Sequence, residues 1–198
     1  MDEKREGSCS RKTGETEVSV RWVLDGSGEC HADTGIGFLD HMVAQLAKHG
    51  LFDLDVSARG DLEVDEHHTI EDVAIALGRA LDSGLGDRRG IVRMGDALVP
   101  LDESLARVSV DLGGRGYAVV VADISPLGAG GFRGDLVAHF FESFAREGRL
   151  TLHADLLRGE NDHHKIEALF KATARALRAA SRVDPMRADS LPTTKGVL

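Results

Sequence analysis

The amino-acid sequence predicts an α+β protein made of two similar half-domains, each a small β-sheet covered on one face by helices. Two observations support this fold class. A shift of 96 positions lays residues 65–71 over residues 161–167. In each half, strand-like apolar runs alternate with runs whose apolar residues are spaced three and four apart. We expect neither half to bury enough surface to be stable alone.

Strands are predicted where apolar residues alternate with polar ones or where β-branched residues cluster. These runs are Glu17–Val23 and Phe52–Val56 in the first half, and Ala106–Val110, Tyr117–Val121 and Leu150–Ala154 in the second. Helices are predicted where the apolar period is three to four. These segments are 38–49 and 70–81, then 136–147 and 166–177. Glycine-rich turns separate the elements.

These elements divide the chain into four segments. Residues 1–10 are polar and are predicted to form a flexible N-terminal arm. Residues 11–97 form the first repeat and residues 98–187 the second. Residues 188–198 form a C-terminal tail whose composition is that of a frayed end.

The charge and cysteine content exclude several classes of protein. A net charge of -9 argues against non-specific nucleic-acid binding, whereas a small anionic ligand remains compatible where a few cations converge. No run approaches the roughly 20 apolar residues of a membrane span, and the charged first residues do not resemble a signal peptide. We therefore expect a cytoplasmic protein with no membrane partner. Cys9 and Cys30 are predicted to be free thiols.

The repeated pentapeptide His-His-x-x-Glu, at residues 67–71 and 163–167, is the best candidate for chemistry. On a helix the glutamate shares a face with either histidine, whereas adjacent histidines point about 100° apart. One ion can hardly bind both histidines, so we predict two ions, each taking one imidazole from each motif. Glu71 and Glu167 would complete one site apiece. A single such pair is often only a solvated helix start, but its presence in both halves favours metal binding.

Two more histidines, His41 and His139, occupy equivalent places in the repeat. The resulting six imidazoles and two carboxylates are enough for two sites of three His and one Glu. Such a set suits manganese, iron or zinc and leaves positions open for substrate or water. His31 and His153 lack this support and are predicted to be strand residues. The predicted ligands are His41, His67, His68, Glu71, His139, His163, His164 and Glu167.

Several longer segments are similar to those of one known family. They are Arg11-Lys-Thr-Gly-Glu-Thr16, Thr34-Gly-Ile-Gly-Phe-Leu-Asp-His-Met42, Asp65-Glu-His-His-Thr-Ile-Glu-Asp72, Val99-Pro-Leu-Asp-Glu103, Asn161-Asp-His-His-Lys-Ile-Glu167 and Thr194-Lys-Gly-Val-Leu198. Together they resemble the imidazoleglycerol-phosphate dehydratases of histidine biosynthesis. The resemblance covers nearly the whole chain from residue 11 onward.

This resemblance implies a duplicated half-domain of the ribosomal S5 domain 2-like type and two manganese ions per active site, held by the eight ligands named above. It also implies a homo-oligomer of twenty-four subunits built from trimers, with active sites at subunit interfaces and a substrate-contacting tail. The implied substrate contacts, chiefly to the phosphate, are Glu15, Gln45, His49, Arg93, Arg115, Lys171, Thr193 and Lys195. Two positions depart from the family: Thr193, where many relatives have Ser, and Gly116, where many have Pro.

The implied reaction converts D-erythro-imidazoleglycerol phosphate to imidazole-acetol phosphate and water. The proton to be removed is not next to a carbonyl, so we hypothesise that the two ring nitrogens bind the two ions, which favour the electron-rich imidazolate. Glu167 or Glu71 is the expected proton carrier, and Glu15 is the weaker candidate. A metallohydrolase and a metal-storage cage are the alternative functions.

Overall fold

The computed structural model describes residues 4–187, 190–196 and 198 of the 198-residue chain. The first half contains three strands, a helix, a strand and a helix, and the second half repeats this order. The elements of the first half are β1 (Glu6–Lys12), β2 (Thr16–Val23), β3 (Cys30–Asp33), α1 (Gly37–Gly50), β4 (Asp53–Gly60) and α2 (His67–Leu85). Those of the second half are β5 (Met94–Leu101), β6 (Ser104–Asp111), β7 (Tyr117–Val121), α3 (Gly134–Glu147), β8 (Thr151–Arg158) and α4 (Asp162–Ser181).

The two halves have the same sheet topology. The strand orders are β1-β2-β4-β3 and β5-β6-β8-β7, and only the last pair in each sheet is parallel. This duplicated α+β arrangement confirms the predicted fold class.

The helices lie between the two sheets, and each packs both on strands of its own half and on a helix of the other half. Helix α1 packs on β3 and on α4, whereas α2 packs on β1, β2 and α3. One continuous core results, to which both halves contribute side chains. Trp22 of β2 shows this directly, because its ring lies edge-on to Phe52 at 5.2 Å and stacks on Phe144 of α3 at 6.2 Å. The apolar side chains buried between the two halves therefore stabilise the fold of each half.

Alternation along the strands directs one face of each sheet toward the helices. In β2, Val18, Val20 and Trp22 are buried while the intervening residues are exposed. His31 and His153 lie on exposed positions of β3 and β8, as predicted for strand residues. Cys9 and Cys30 are free thiols, also as predicted.

The N-terminal segment differs from the predicted flexible arm. Residues 6–10 belong to β1, which pairs with β2 along its whole length, from Glu6 opposite Val23 to Lys12 opposite Glu17. Residues 7–10 of this strand have small side chains and show little apolar alternation, but the absence of a side chain at Gly7 permits close packing on α2. Gly7 sits against the backbone of Ala80 and Gly84.

The junction between the halves also differs from the predicted one. The predicted boundary between residues 97 and 98 falls inside β5, which begins at Met94. The connection between α2 and β5 spans residues 86–93 instead. Within the described part of the chain, no helix combines the length and apolar composition that a membrane crossing requires.

Gly95 of β5 occupies the position in the second half that Gly7 occupies in the first. A Cβ there would press on the backbone of Ala176 and would lie 2.8 Å from the amide nitrogen of Ala180. We expect Gly95→Ala to lower the free energy of unfolding by about 1–3 kcal/mol, because backbone atoms of α4 cannot move aside cheaply. Denaturant-induced unfolding of the wild type and the variant would measure this change in free energy. Gly14→Ala is the matched control, because its added Cβ meets nothing within 4 Å, and equal effects of the two substitutions would contradict this account.

Candidate metal centre and active site

Both His-His-x-x-Glu motifs lie in the first turn of a helix, where local hydrogen bonds hold them. The amide of His67 donates to Asp65 Oδ1 at 2.9 Å, and the amide of His164 donates to Asn161 Oδ1 at 3.3 Å. Side-chain acceptors of this kind satisfy amides that a helix start leaves unpaired. The histidines therefore project from a fixed position at each helix start.

The first candidate site, the α1–α4 group, consists of His41, His163 and Glu167. The Nε2 atoms of His41 and His163 lie 3.1 Å and 3.0 Å from the same oxygen, Oε2 of Glu167. Phe38 packs edge-on against the His163 ring at 4.9 Å and restricts its orientation. Three ligand atoms thus converge from two helices that belong to different halves.

The second candidate site, the α2–α3 group, consists of His67, Glu71 and His139. Nε2 of His139 lies 3.3 Å from Oε1 of Glu71, and the rings of His67 and His139 are 4.9 Å apart. This Nε2 is buried without a hydrogen-bond partner. Buried polar atoms are normally paired, so an orphaned imidazole nitrogen beside a carboxylate is consistent with a ligand position for a cation.

The donor chemistry of both groups fits a divalent metal. Each group offers two imidazole nitrogens and one carboxylate oxygen, all within 4.8 Å of one another. Such mixed nitrogen and oxygen sets suit ions of the zinc, manganese and iron type. In each group the glutamate joins the first histidine of its own motif, four residues away, and a histidine from a helix of the other half.

The second histidine of each motif lies outside both groups. His68 donates from Nδ1 to Asp61 Oδ2 at 3.0 Å, and His164 donates from Nδ1 to Glu103 Oε2 at 2.8 Å. These hydrogen bonds are the largest causes of the raised pKa of each imidazole. Because a carboxylate can only accept, each ring carries its proton on Nδ1 and keeps Nε2 for another ligand.

Asp61 and Glu103 were not among the predicted site residues. Glu103 lies in the β5–β6 turn, at the place that Glu15 occupies in the β1–β2 turn. Glu15 also faces the second histidine of its half, with Oε2 3.8 Å from His68 Nδ1. The shift of 96 positions that aligns the two motifs places Glu15 over Asp111, so it gave no signal for this pair, and nothing in the sequence separates Asp61 from other acidic residues after a strand.

The carboxylate of Glu167 contacts three side chains, those of Lys171, His41 and His163. Burial would raise its pKa, but hydrogen bonds from Lys171 and His41, the charge of Lys171 and the contact with His163 lower it to about 2. Lys171 Nζ lies 2.6 Å from Oε1, the oxygen that the histidines leave unused. Glu167 is therefore ionised and has both oxygens engaged.

Gln45 and His49 continue the α1–α4 group along helix α1. Gln45 Nε2 lies 3.5 Å from His41 Nδ1, and Gln45 Oε1 lies 3.1 Å from His49 Nε2. With Lys171, they form a polar row beside the candidate metal ligands. Three of the predicted substrate contacts are thus brought together here.

Four other predicted substrate contacts line a cleft at the C-terminal tail: Arg93, Arg115, Thr193 and Lys195. Arg93 forms a two-pronged ion pair with Asp111, at 2.7 Å and 2.9 Å, and donates to the Pro192 carbonyl at 2.7 Å. Its position ties the tail to the second sheet. Gly116, beside Arg115, lies against the backbone of Arg146, where a Cβ would be 2.5 Å from the carbonyl oxygen. Close packing therefore accounts for this glycine in the present fold.

An α+β fold with two duplicated His/Glu groups defines the class of protein: a candidate two-metal protein with a site built across its halves. Comparisons with known proteins identify the family. A model of the imidazoleglycerol-phosphate dehydratase family matches residues 34–177. An imidazoleglycerol-phosphate dehydratase of Chloroflexus aggregans is 58% identical over 198 residues, which cover 100% of this chain and 97% of that protein. That of Chloroflexus aurantiacus is 57% identical over 194 residues, covering 98% and 95%.

Solved structures agree with this result. The imidazoleglycerol-phosphate dehydratase of Staphylococcus aureus superposes with a TM-score of 0.81 at 37% identity, covering 90% of this chain and 99% of that one. The structure from Pyrococcus furiosus gives a TM-score of 0.83 at 36% identity, covering 96% and 100%. The chain belongs to the imidazoleglycerol-phosphate dehydratase family, whose members are hydro-lyases.

Replacing His139 with Ala should remove one donor from the α2–α3 group and leave the α1–α4 group intact. If each group holds one divalent ion, His139→Ala should retain about half of the metal per subunit that the wild type retains after dialysis, because two remaining donors hold an ion far less tightly. Mass spectrometric metal analysis would measure it. His153→Ala, which removes an exposed strand histidine, is the control. Equal metal contents in all three proteins would show that this group holds no ion.

Proposed function

We propose that the protein is a manganese-dependent dehydratase of the cytoplasm that converts D-erythro-imidazoleglycerol phosphate to imidazole-acetol phosphate and water in histidine biosynthesis. The observation that carries this proposal is the pair of equivalent groups of two histidines and one glutamate, in a chain of this family. A substrate with a five-membered ring has two nitrogens to bind, which gives a reason for two equivalent groups.

We propose that each ligand set is completed by the second histidine of a motif from another subunit. His68 and His164 lie outside the groups of their own chain, and each has its Nδ1 fixed by a carboxylate. His164 Nε2 lies 3.9 Å from Asp102 Oδ2, beyond hydrogen-bond distance. This arrangement supports a homo-oligomer with active sites at the subunit interfaces. We propose that the oligomer has twenty-four subunits and is built from trimers.

The bound ions would supply Lewis acidity toward the imidazole ring of the substrate. The chain's own residues then have to orient the ring, hold the phosphate and move one proton. Glu167 and Glu71 serve best as ligands, since both oxygens of Glu167 are engaged and Glu71 faces His139.

Glu15 is the better candidate for the proton carrier. Its side chain is 57% exposed at the tip of the β1–β2 turn, and its nearest ionisable partner is His68 at 3.8 Å. A carboxylate that is not consumed by ligation can approach a substrate carbon. This ranking differs from the sequence-based one, which favoured Glu167 or Glu71, because spacing along the chain does not reveal which oxygens are occupied.

The substrate phosphate would be held by two sets of polar and cationic side chains. Arg93 and Arg115 offer planar guanidinium groups in the tail cleft, with Thr193 and Lys195. Gln45, His49 and Lys171 lie beside the α1–α4 group. We propose that the two sets meet around one substrate when subunits assemble.

Separate substitutions of the two glutamates should give different defects. We expect Glu15→Gln to lower kcat about 10²–10⁴-fold while manganese content stays at the wild-type level, because a proton carrier is lost and no ligand is. Glu167→Gln should lose both activity and metal. Steady-state kinetics with metal analysis would test this. Glu17→Gln, an exposed glutamate two residues beyond Glu15 on the same hairpin, is the matched control. Full activity of Glu15→Gln would exclude its proposed role.

Activity itself is tested with metal-stripped protein. We expect no turnover of imidazoleglycerol phosphate until manganese is restored, followed by ketone formation without release of free phosphate. The same incubation with generic phosphoesters should release no phosphate. Phosphate release would instead indicate a metallohydrolase, metal uptake without turnover a storage protein, and full activity without any metal would overturn the proposal.

A further inference from the structure

Most lysine and arginine side chains in the described part of the chain form an ion pair with a carboxylate. The cations for which the structure gives no such pair are Lys48, Arg115, Arg158, Arg175, Arg178, Arg182 and Lys195. Two of these lie in the tail cleft already described. Four of the others line a single second cleft. In a chain of net charge -9, this clustering is not the result of a general excess of cations.

This second cleft, which we call the cationic cleft, lies between the end of α1 and the last turns of α4. Its charged lining consists of Lys48 and His49 from α1 and Arg175, Arg178 and Arg182 from α4 and its end, around a space of about 410 Å³. No acidic side chain is among the residues that line it. Two carboxylates outside the lining act on its residues. Asp25 has its pKa lowered mainly by its hydrogen bond with Arg5 and in part by the charge of Arg178, and the charge of Glu167 acts on His49.

Helix ends explain only part of this cluster. Cations near a helix C-terminus interact favourably with its exposed carbonyl groups. Arg178 of α4 does so at the end of α1, where it donates to the Gly50 carbonyl at 3.1 Å. Arg175 lies further from the end of α4, is exposed, and has neither a carboxylate nor a carbonyl partner in the described structure. Exposed cations of like sign on one cleft repel one another, so the cleft is arranged to receive an anion.

The cationic cleft adjoins the candidate active site through His49. This imidazole lines the cleft and is also the end of the row that runs through Gln45 to His41 of the α1–α4 group. Burial and then the charges of Lys171 and Arg175 lower the pKa of His49, while Glu167 opposes them, so a cation of the cleft and a cation of the site both act on this imidazole. An anion held at His49 would therefore be separated from the candidate ligand His41 by one side chain, that of Gln45.

We propose that the cationic cleft is a phosphate-binding site that captures the phosphorylated substrate before it enters the active site. Arginine side chains match phosphate geometry, and a local positive potential offsets the repulsion that an acidic protein exerts on a phosphate dianion. The identity of the captured substrate rests on the proposed function, whereas the affinity of the cleft for phosphate does not.

Binding is tested directly by chemical labelling. The assembled wild-type protein is treated with phenylglyoxal with and without inorganic phosphate, and modified arginines are identified by peptide mass spectrometry. We expect Arg175 and Arg182 to be modified, and phosphate to protect them several-fold, while Arg21 on the outer face of the first sheet is modified equally in both conditions. Modification of Arg175 and Arg182 without protection, or no modification because the cleft is covered, would overturn the proposal.

The consequence for capture is tested by kinetics. The double variant Arg175→Gln/Arg182→Gln should lower kcat/KM about 10-fold at low ionic strength and leave kcat unchanged, and the difference from wild type should vanish at high salt. Lys12→Gln/Arg21→Gln, which removes the same charge from the outer sheet face, is the control and should leave kcat/KM near the wild-type value. An equal decrease of kcat/KM in the two double variants would show that only the net charge of the protein matters, and it would overturn the proposed capture site.

The two proposals fail in different ways. A wild-type protein that does not turn over imidazoleglycerol phosphate contradicts the proposed function, and phosphate protection of the arginines can still be measured. A wild-type protein that turns over normally, with the Arg175→Gln/Arg182→Gln variant unchanged at all salt concentrations, contradicts the capture site alone.

Discussion

The packing of helices from one half against helices from the other is the constraint on which the site depends. Helix α1 lies on α4, and α2 lies on α3. His41 therefore meets Glu167 and His139 meets Glu71, although each pair comes from different halves. Neither half alone can form a three-donor group. The core that joins the halves, with Trp22 stacked on Phe144, is thus also what positions the candidate ligands.

Carboxylates have two different tasks around these ligands. Glu71 and Glu167 point into the groups, whereas Asp61 and Glu103 hold His68 and His164 from the side. The hydrogen bonds from His68 to Asp61 and from His164 to Glu103 leave Nε2 of each imidazole available, and both histidines lie outside the groups of their own chain. A second histidine held outside both groups, with one ring nitrogen available, is the observation behind the proposed assembly of subunits around the site.

Paired and unpaired cations lie on different parts of the surface. The outer face of the first sheet balances its cations with carboxylates, as Arg21 does with Glu6 and Asp55. Unpaired cations are concentrated in the tail cleft and in the cationic cleft instead. An acidic protein can in this way remain soluble and still present positive potential where an anionic ligand would arrive.

The sequence by itself determined the α+β class, the duplication and the helices that carry both motifs, and it singled out the six residues that the two groups bring together, because periodicity and internal repetition are local properties of the chain. Only the tertiary structure decided that Glu167 joins His41 across 126 positions, that Asp61 and Glu103 hold the second histidines, and that residues 6–10 form a strand rather than an arm. Such contacts depend on how helices and sheets pack together. The short strands β1 and β3 are likewise specified less by their own alternation than by the neighbouring strands that supply their hydrogen bonds.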